Sequence, residues 1–423
     1  MTRVCIVTMG CKVNRADSAR MAAVLAAKGC TLVSDEAGAD AFVLNTCTVT
    51  GRSDAEVRQI LRRLHRARPS ARVVVAGCLP RANADLGDEF HGWCTFLTGP
   101  DNRGLLEALD LGETVDAGAF SGAPANAYGD RARPFLKVQD GCDSLCAYCI
   151  VPRARGRARS APVDTVLAQA DALFDAGYRE VVLTGIHLGS YGRDRGEADG
   201  LATLIDRLGE LPGVIRGARV RLSSLEPLEV THRLLDAVAK APYVCRHFHV
   251  PLQSGSDAVL RTMNRPYDMR TYAAAAGAIK EKIPAACVGA DLIAGFPGET
   301  AAHHRETREA IERLPIDYLH VFTFSPRPGT AAAAMGGRPR AAEVSRRVAE
   351  LRALGETKRI RFHKSMAGVP LQVIVERRRP GGWSALTGNY IRAVVQGEGL
   401  KTGMLAAFVL DVDDAGRATG RSP

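Results

Sequence analysis

No uninterrupted apolar run in the 423-residue chain approaches the ~20 residues that a bilayer-crossing helix requires. A membrane-spanning protein is therefore not expected. The amino-terminal stretch MTRVCIVTMGC is too short in its apolar part for a secretory signal and lacks a small-residue cleavage pattern. It reads instead as a first β-strand, and the expected location is cytoplasmic. There is also no internal repeat and no low-complexity tract, so neither a solenoid nor a disordered array is expected. With no export signal in view, the 11 cysteines favour metal binding or redox chemistry over a disulfide framework. Acidic residues are the scarcer sign: 46 Asp and Glu stand against 56 Lys and Arg, a formal net charge of +10. That imbalance suggests a polyanionic partner such as RNA, although arginine-rich coding composition would explain it equally well.

What is present divides into three regions. Up to about residue 118, short β-branched runs (RVCIVTM at 3–9, AFVLN at 41–45, RVVVAG at 72–77) are each followed by a helical pattern. This alternation predicts an open parallel α/β sheet over 1–118. Residues 117–133 are rich in Gly, Ala and Pro without periodicity and read as a linker. From 134 to about 339, six βα units predict a partial barrel whose site lies at the carboxyl ends of its strands. A basic amphipathic helix is expected at 341–365, and with it the central domain spans 134–365. Strands separated by Gly-rich turns then predict a small all-β barrel over 366–423.

One loop carries unusual chemistry. DGCDSLCAYCIVPRARGRARS (140–160) places Cys142, Cys146 and Cys149 in a C-x3-C-x2-C pattern, and no fourth Cys or His follows in the segment. Thiolate-only ligation selects zinc or an iron–sulfur cluster. A 4Fe-4S cube with three cysteines leaves one iron open to another ligand. A zinc ion with a distant fourth ligand is the alternative. The N-terminal region supplies a second set. Cys11, Cys47 and Cys78 each follow the carboxyl end of one predicted strand, where ligands bind in an open α/β sheet. Cys5, Cys30, Cys94, Cys245 and Cys287 show no such placement and are expected to be core or incidental residues.

The cysteine loop resembles the signature of the radical S-adenosylmethionine superfamily. The two cysteine sets and the terminal β-module together resemble its methylthiotransferases over essentially the whole chain. The terminal module, with LTGNYIRAVV (386–395), is similar to their RNA-binding TRAM domain. GCKVN, NTCTVT, HVPLQSGSDAVLRTMNRPY and FSPRPGT look most like the branch acting on threonylcarbamoyl-adenosine at tRNA position 37. Two departures lie beside cysteines: Leu79-Pro80 where that branch commonly has Tyr-Ala, and Arg15-Ala16-Asp17 where it has Gln-Tyr-Glu.

The resemblance implies two 4Fe-4S clusters, held by Cys11, Cys47, Cys78 and by Cys142, Cys146, Cys149, with S-adenosyl-L-methionine on the open iron of the second. It implies that Tyr148, Thr184, Gly185, Ser223, Ser224 and Gly295 contact that cofactor, although each could serve packing or strand-end turns. One S-adenosylmethionine would methylate a sulfur carried at the first cluster, and a second would yield a radical that attacks an adenosine C2–H. Arg153, Arg155 and Arg157, beside the loop, are expected to line an RNA entrance. A monomer served by a flavodoxin- or ferredoxin-like electron donor is expected. Rival substrates are isopentenyladenosine in tRNA and an Asp of a ribosomal protein; a rival class is a non-catalytic, zinc-bound RNA-binding protein.

Overall fold

The computed structural model describes residues 1–83, 89, 90, 92–113, 118, 120–129 and 131–422. Residues 117, 119 and 130 of the expected linker, and the terminal residue of the last domain, lie outside these.

The N-terminal unit is a parallel sheet in the order β2-β1-β3-β4-β5. Its strands are β1 (Arg3–Thr8), β2 (Thr31–Val33), β3 (Ala41–Thr46), β4 (Arg72–Gly77) and β5 (Thr95–Phe96). Side chains alternate across a strand, and here both faces are apolar. Val4, Ala41, Val43, Val74 and Ala76 pack on Met21 and Leu25 of helix α1 (Lys12–Ala27). Cys5, Phe42, Leu44, Val73 and Val75 pack on Val57, Leu61 and Leu64 of helix α2 (Gly51–Ala67). Thr50 caps α2, its hydroxyl accepting from the Ser53 N–H at 3.2 Å. The two edge strands, β2 and β5, are too short to stand out in the sequence.

The central unit arranges six parallel strands in two triplets. One is β6 (Phe135–Lys137), β9 (Glu180–Thr184) and β10 (Arg219–Leu222), with β9 in the middle. The other is β11 (His247–His249), β12 (Cys287–Ala294) and β13 (Tyr318–Thr323). Bridges from Val220 to Val244 and from Ser224 to His249 join the triplets. Among the described residues no strand pairs β13 to β6, so the barrel is partial. A short ladder of β7 (Gln139–Asp140) and β8 (Arg159–Ser160) closes the base of the cysteine loop.

The long helix Ala341–Ser365 leads to a closed five-strand barrel, β14-β15-β16-β18-β17. These strands are β14 (Pro370–Arg379), β15 (Gly382–Thr387), β16 (Arg392–Val395), β17 (Leu405–Val412) and β18 (Ala418–Arg421). A buried arginine pair docks this barrel onto the central one. Arg219 and Arg221 both pair with Glu180 at 2.7 Å, and their remaining N–H groups reach the carbonyls of Leu386 (3.1 Å), Thr387 (2.9 Å) and Gly388 (3.1 Å). Burial alone would raise the Glu180 carboxyl, but Arg221, Arg219 and Arg133 hold it down to about 2. Among the described residues, no helix is long and apolar enough to cross a membrane.

Candidate active site

Sheet order decides where the first three cysteines lie. β1, β3 and β4 are adjacent and parallel, so the chain turns at their carboxyl ends fall side by side. Cys11 caps α1, Cys47 follows β3, and Cys78 opens helix α3 (Cys78–Ala82). The turn before Cys11 is tight: Gly10 has φ +91°, and a Cβ there would sit 2.5 Å from the Cys47 Cβ. Asn14, fully buried, ties the turns together. Its amide donates to Met9 O (2.9 Å) and Thr46 O (2.8 Å), while its carbonyl oxygen faces Cys11 Sγ at 3.7 Å and Cys78 Sγ at 4.0 Å. Burial pushes the Cys47 thiol up to about 11.

The second set lies on the loop between β7 and the short helix Val151–Arg155. The Ser144 N–H donates to Cys142 Sγ at 3.4 Å, and His187 Nδ1 lies 3.5 Å from the same sulfur. Burial would raise the Cys142 thiol, yet the His187 hydrogen bond and charge bring it below its ordinary value. Arg265 donates to Cys146 Sγ at 3.0 Å and pairs with Glu226. Cys149 has no such cation in hydrogen-bond contact among the described residues, and burial pushes its thiol up to about 12.

Neither trio is built for a single ion. Among the described residues, the one group of three His, Cys, Asp or Glu side chains whose ligand atoms all lie within 4.8 Å is His249, Asp291 and His320. Thiolates on one zinc would sit closer than that, given Zn–S distances of about 2.3 Å. The wider spacing, and N–H donors aimed at sulfur, fit a thiolate-ligated cluster in both places.

The two sites are mechanically joined. Arg155, at the end of the helix after Cys149, is buried rather than at an RNA entrance. Its Nε donates to Cys78 Sγ at 3.3 Å, and its Nη atoms reach Asp17 (2.8 Å), Asp140 (3.2 Å) and the Asn14 carbonyl oxygen. Lys137 completes the network, 2.6 Å from Asp17 and 3.1 Å from Asp140. Two cations and two carboxylates thus face one another between the domains. The network corrects the expectation that Arg155 meets RNA: a guanidinium is costly to bury, and its partners here are all internal. Arg153 and Arg157 are exposed beside the loop, Arg157 with 93% of its side chain accessible. A second pin lies near Cys47, where Arg327 donates to Thr48 Oγ1 at 2.8 Å and pairs with Asp54.

Beside Cys11, a cavity of about 570 Å³ lies between the first site and the strand ends of the central unit. Cys11 and Lys12 line one wall; Thr184, Gly185, Ser223 and Ser224 line the facing strand ends. Ser223 Oγ is buried without a partner among the described residues, and Ser224 Oγ bonds His249 Nδ1 at 2.7 Å. Tyr148 does not line this cavity. It packs edge-on to Phe296 with ring centroids 6.4 Å apart, and burial raises its hydroxyl well above the usual value. Gly295 does not line it either: a Cβ there, at φ +80°, would come within 2.7 Å of the Val344 side chain. Its lack of a side chain admits the long C-terminal helix. Asn14, Lys137, His187, Glu226 and Arg265 escaped sequence reasoning. Only Asn14, in GCKVN, and Arg265, in HVPLQSGSDAVLRTMNRPY, lay within stretches that carried a signal.

The Radical SAM superfamily profile matches residues 136–311, and that of the uncharacterized protein family UPF0004 matches residues 3–96. The chain is 33% identical over 414 residues to threonylcarbamoyladenosine tRNA methylthiotransferase MtaB of Bacillus subtilis, covering 94% of this chain and 91% of that protein. It is 34% identical over 403 residues to the protein of the same name from Aquifex aeolicus, covering 92% and 95%. It is also 33% identical over 411 residues to tRNA-2-methylthio-N(6)-dimethylallyladenosine synthase of Chlorobium luteolum, covering 93% and 91%. Among solved structures, the radical S-adenosylmethionine methyltransferase TsrM of Kitasatospora setae superposes with a TM-score of 0.59 at 15% identity, over 79% of this chain and 75% of that one. That likeness concerns the fold alone.

Proposed function

The chain belongs to the methylthiotransferase family of radical S-adenosylmethionine enzymes, and from that premise we propose that it adds a methylthio group to C2 of N6-threonylcarbamoyladenosine at position 37 of tRNA. The observation that carries the reading is a pair of three-thiol sites joined through Arg155, which follows Cys149 and donates to Cys78 Sγ at 3.3 Å. Cys11, Cys47 and Cys78 would hold one 4Fe-4S cluster; Cys142, Cys146 and Cys149 would hold the other. When bound, the clusters supply one-electron reduction of S-adenosylmethionine at the second site and a sulfur carrier at the first. An adenine C2–H is far too weak an acid for any side chain to deprotonate near neutrality, which is why such cofactors are needed.

The chain's own residues have supporting tasks. Arg265 and the Ser144 N–H donate to the thiolates of the second site and lower the cost of their charge. Arg155 does the same for Cys78 and fixes the spacing between the sites through Asp17 and Asp140. Ser223 offers an unspent hydroxyl to the cofactor, beside Thr184, Gly185 and Ser224. Tyr148 and Gly295 would act on the cofactor only from behind, through Phe296 and Val344. Exposed Arg153 and Arg157, with the terminal β-barrel, would meet the RNA phosphates. The corresponding division is 1–118 for the first cluster, 134–365 for radical chemistry and 366–423 for RNA. A cytoplasmic monomer reduced by a flavodoxin- or ferredoxin-like donor completes the proposal.

Dimethylallyladenosine is the rival substrate, since relatives of that name are about as similar as the others. The polar groups on the cavity wall support the threonylcarbamoyl reading. Anaerobic reconstitution with S-adenosylmethionine, reductant and tRNA carrying either modification tests it. The proposal expects methylthiolation of the threonylcarbamoyl substrate. Turnover of the dimethylallyl substrate alone would overturn it.

A further inference from the structure

We propose that Lys12 is the specificity-determining residue that binds the carboxylate of the substrate's N6 substituent. This rests on the threonylcarbamoyl reading above and names the contact that reading leaves open.

Lys12 is the first residue of α1, directly after Cys11, and it lines the cavity between Cys11 and the central strand ends at Thr184, Ser223 and Ser224. Among the described residues its ammonium has neither an ion pair nor a side-chain hydrogen bond, unlike the neighbouring cations Lys137 and Arg155. Asp291, whose charge acts on Lys12, makes no ion pair with it; its Oδ1 lies 2.9 Å from His249 Nε2 and 3.1 Å from His320 Nδ1. A half-buried ammonium without an anion is an expensive arrangement. Its position adds to the cost. α1 has no acidic residue in its first turn, and a cation there opposes the positive end of the helix dipole. Packing and helix stability therefore argue for some other residue at this place. An anion arriving in the cavity would relieve both costs.

A second observation points the same way. His247, 3% exposed, lines the same cavity, and its Nδ1 has no partner among the described residues. Its Nε2 lies 2.9 Å from the Tyr318 hydroxyl, and its ring stacks on Tyr390 at 4.0 Å. Two uncommitted polar groups thus line one cavity together with aromatic rings. A threonylcarbamoyl group presents a carboxylate, a hydroxyl and an amide, and can engage both. A dimethylallyl group has nothing to offer either.

The test uses full-length, cluster-loaded protein and two synthetic anticodon stem-loops. One carries the N6-threonylcarbamoyl acid, the other the same group with its carboxylate replaced by a carboxamide. Wild-type kcat/KM is expected to favour the acid by roughly 10- to 100-fold, the range of a charge-assisted hydrogen bond. Lys12→Gln should lose activity on the acid by a similar factor and show no preference between acid and amide. Lys12→Arg should keep the preference. A lysine serving RNA phosphate or S-adenosylmethionine would lower both substrates equally and leave the ratio intact, which overturns the proposal. Should Lys12→Gln fail to load iron, the wild-type ratio still decides: no preference for the acid overturns it. A wild-type enzyme that turns over only dimethylallyl RNA removes the functional reading and this inference together. An intact Lys12→Gln preference on an active threonylcarbamoyl substrate removes the inference alone.

Discussion

Replacing Arg155 with Met removes one charge from a buried, ion-paired set of four. Arg155, Lys137, Asp17 and Asp140 have side chains 2%, 7%, 5% and 2% accessible, so solvent cannot screen what remains. Without the guanidinium, Lys137 is the one cation left paired with the two buried carboxylates, with Arg20 and Arg81 acting at longer range, and Asn14 and Cys78 each lose a donor. Breaking a buried pair in this way costs about 3–5 kcal/mol. For a chain of 423 residues that amounts to roughly 3–6 °C in melting temperature, taking an unfolding entropy of about 2.1 cal/mol/K per residue. Differential scanning calorimetry of the reduced, cluster-free protein measures it directly. Iron analysis of reconstituted protein supplies the second readout: Arg155→Met should lose iron from the Cys11, Cys47, Cys78 site while the Cys142, Cys146, Cys149 site stays loaded. Arg155→Lys should fall between, since an ammonium keeps the charge but not the fork of donors. An unchanged melting temperature together with full iron content would refute the assigned role.

Three further outcomes follow from the same structure. Glu180 is held down to about 2 against 4.5 for a free glutamic acid, so its contribution of about 3 kcal/mol is present above pH 4.5 and lost as pH falls towards 2; Glu180→Gln should flatten acid unfolding in that window and lower stability at neutral pH. Gly10→Ala should abolish iron binding at the first site while leaving reductive cleavage of S-adenosylmethionine, because the new Cβ would displace Cys47; normal iron content would show the turn to be more tolerant than its geometry implies. Arg265→Met should slow reductive cleavage at least tenfold by withdrawing the donor to Cys146, with EPR of the reduced cluster shifted; an unaltered spectrum and rate would exclude that role.

Much of the architecture could be read in the residues. β-branched runs, each followed by a helical pattern, marked the parallel units, and the loss of helices after residue 365 marked the closing barrel. The placement of Cys11, Cys47 and Cys78 was legible because topology sends the ends of neighbouring parallel strands to one edge. What connects the sites was not. Arg155 lies in an arginine-rich run that reads as a solvated surface, and only the apposition of the short helix Val151–Arg155 to the sheet turns it inward. His187 and Arg265 reach the second site from 45 and 119 residues away along the chain, a distance no local pattern spans. Gly295 was read as a contact for the cofactor; the close approach of Val344 to it was not legible, because it is set by a helix that begins only at Ala341.

The most direct test is mass spectrometry of tRNA nucleosides from cells with and without the gene. In the deletion strain 2-methylthio-N6-threonylcarbamoyladenosine is expected to disappear while N6-threonylcarbamoyladenosine accumulates, and Cys11→Ala or Cys142→Ala is expected not to restore it. An unchanged methylthio-nucleoside content in the deletion strain would contradict the proposed function.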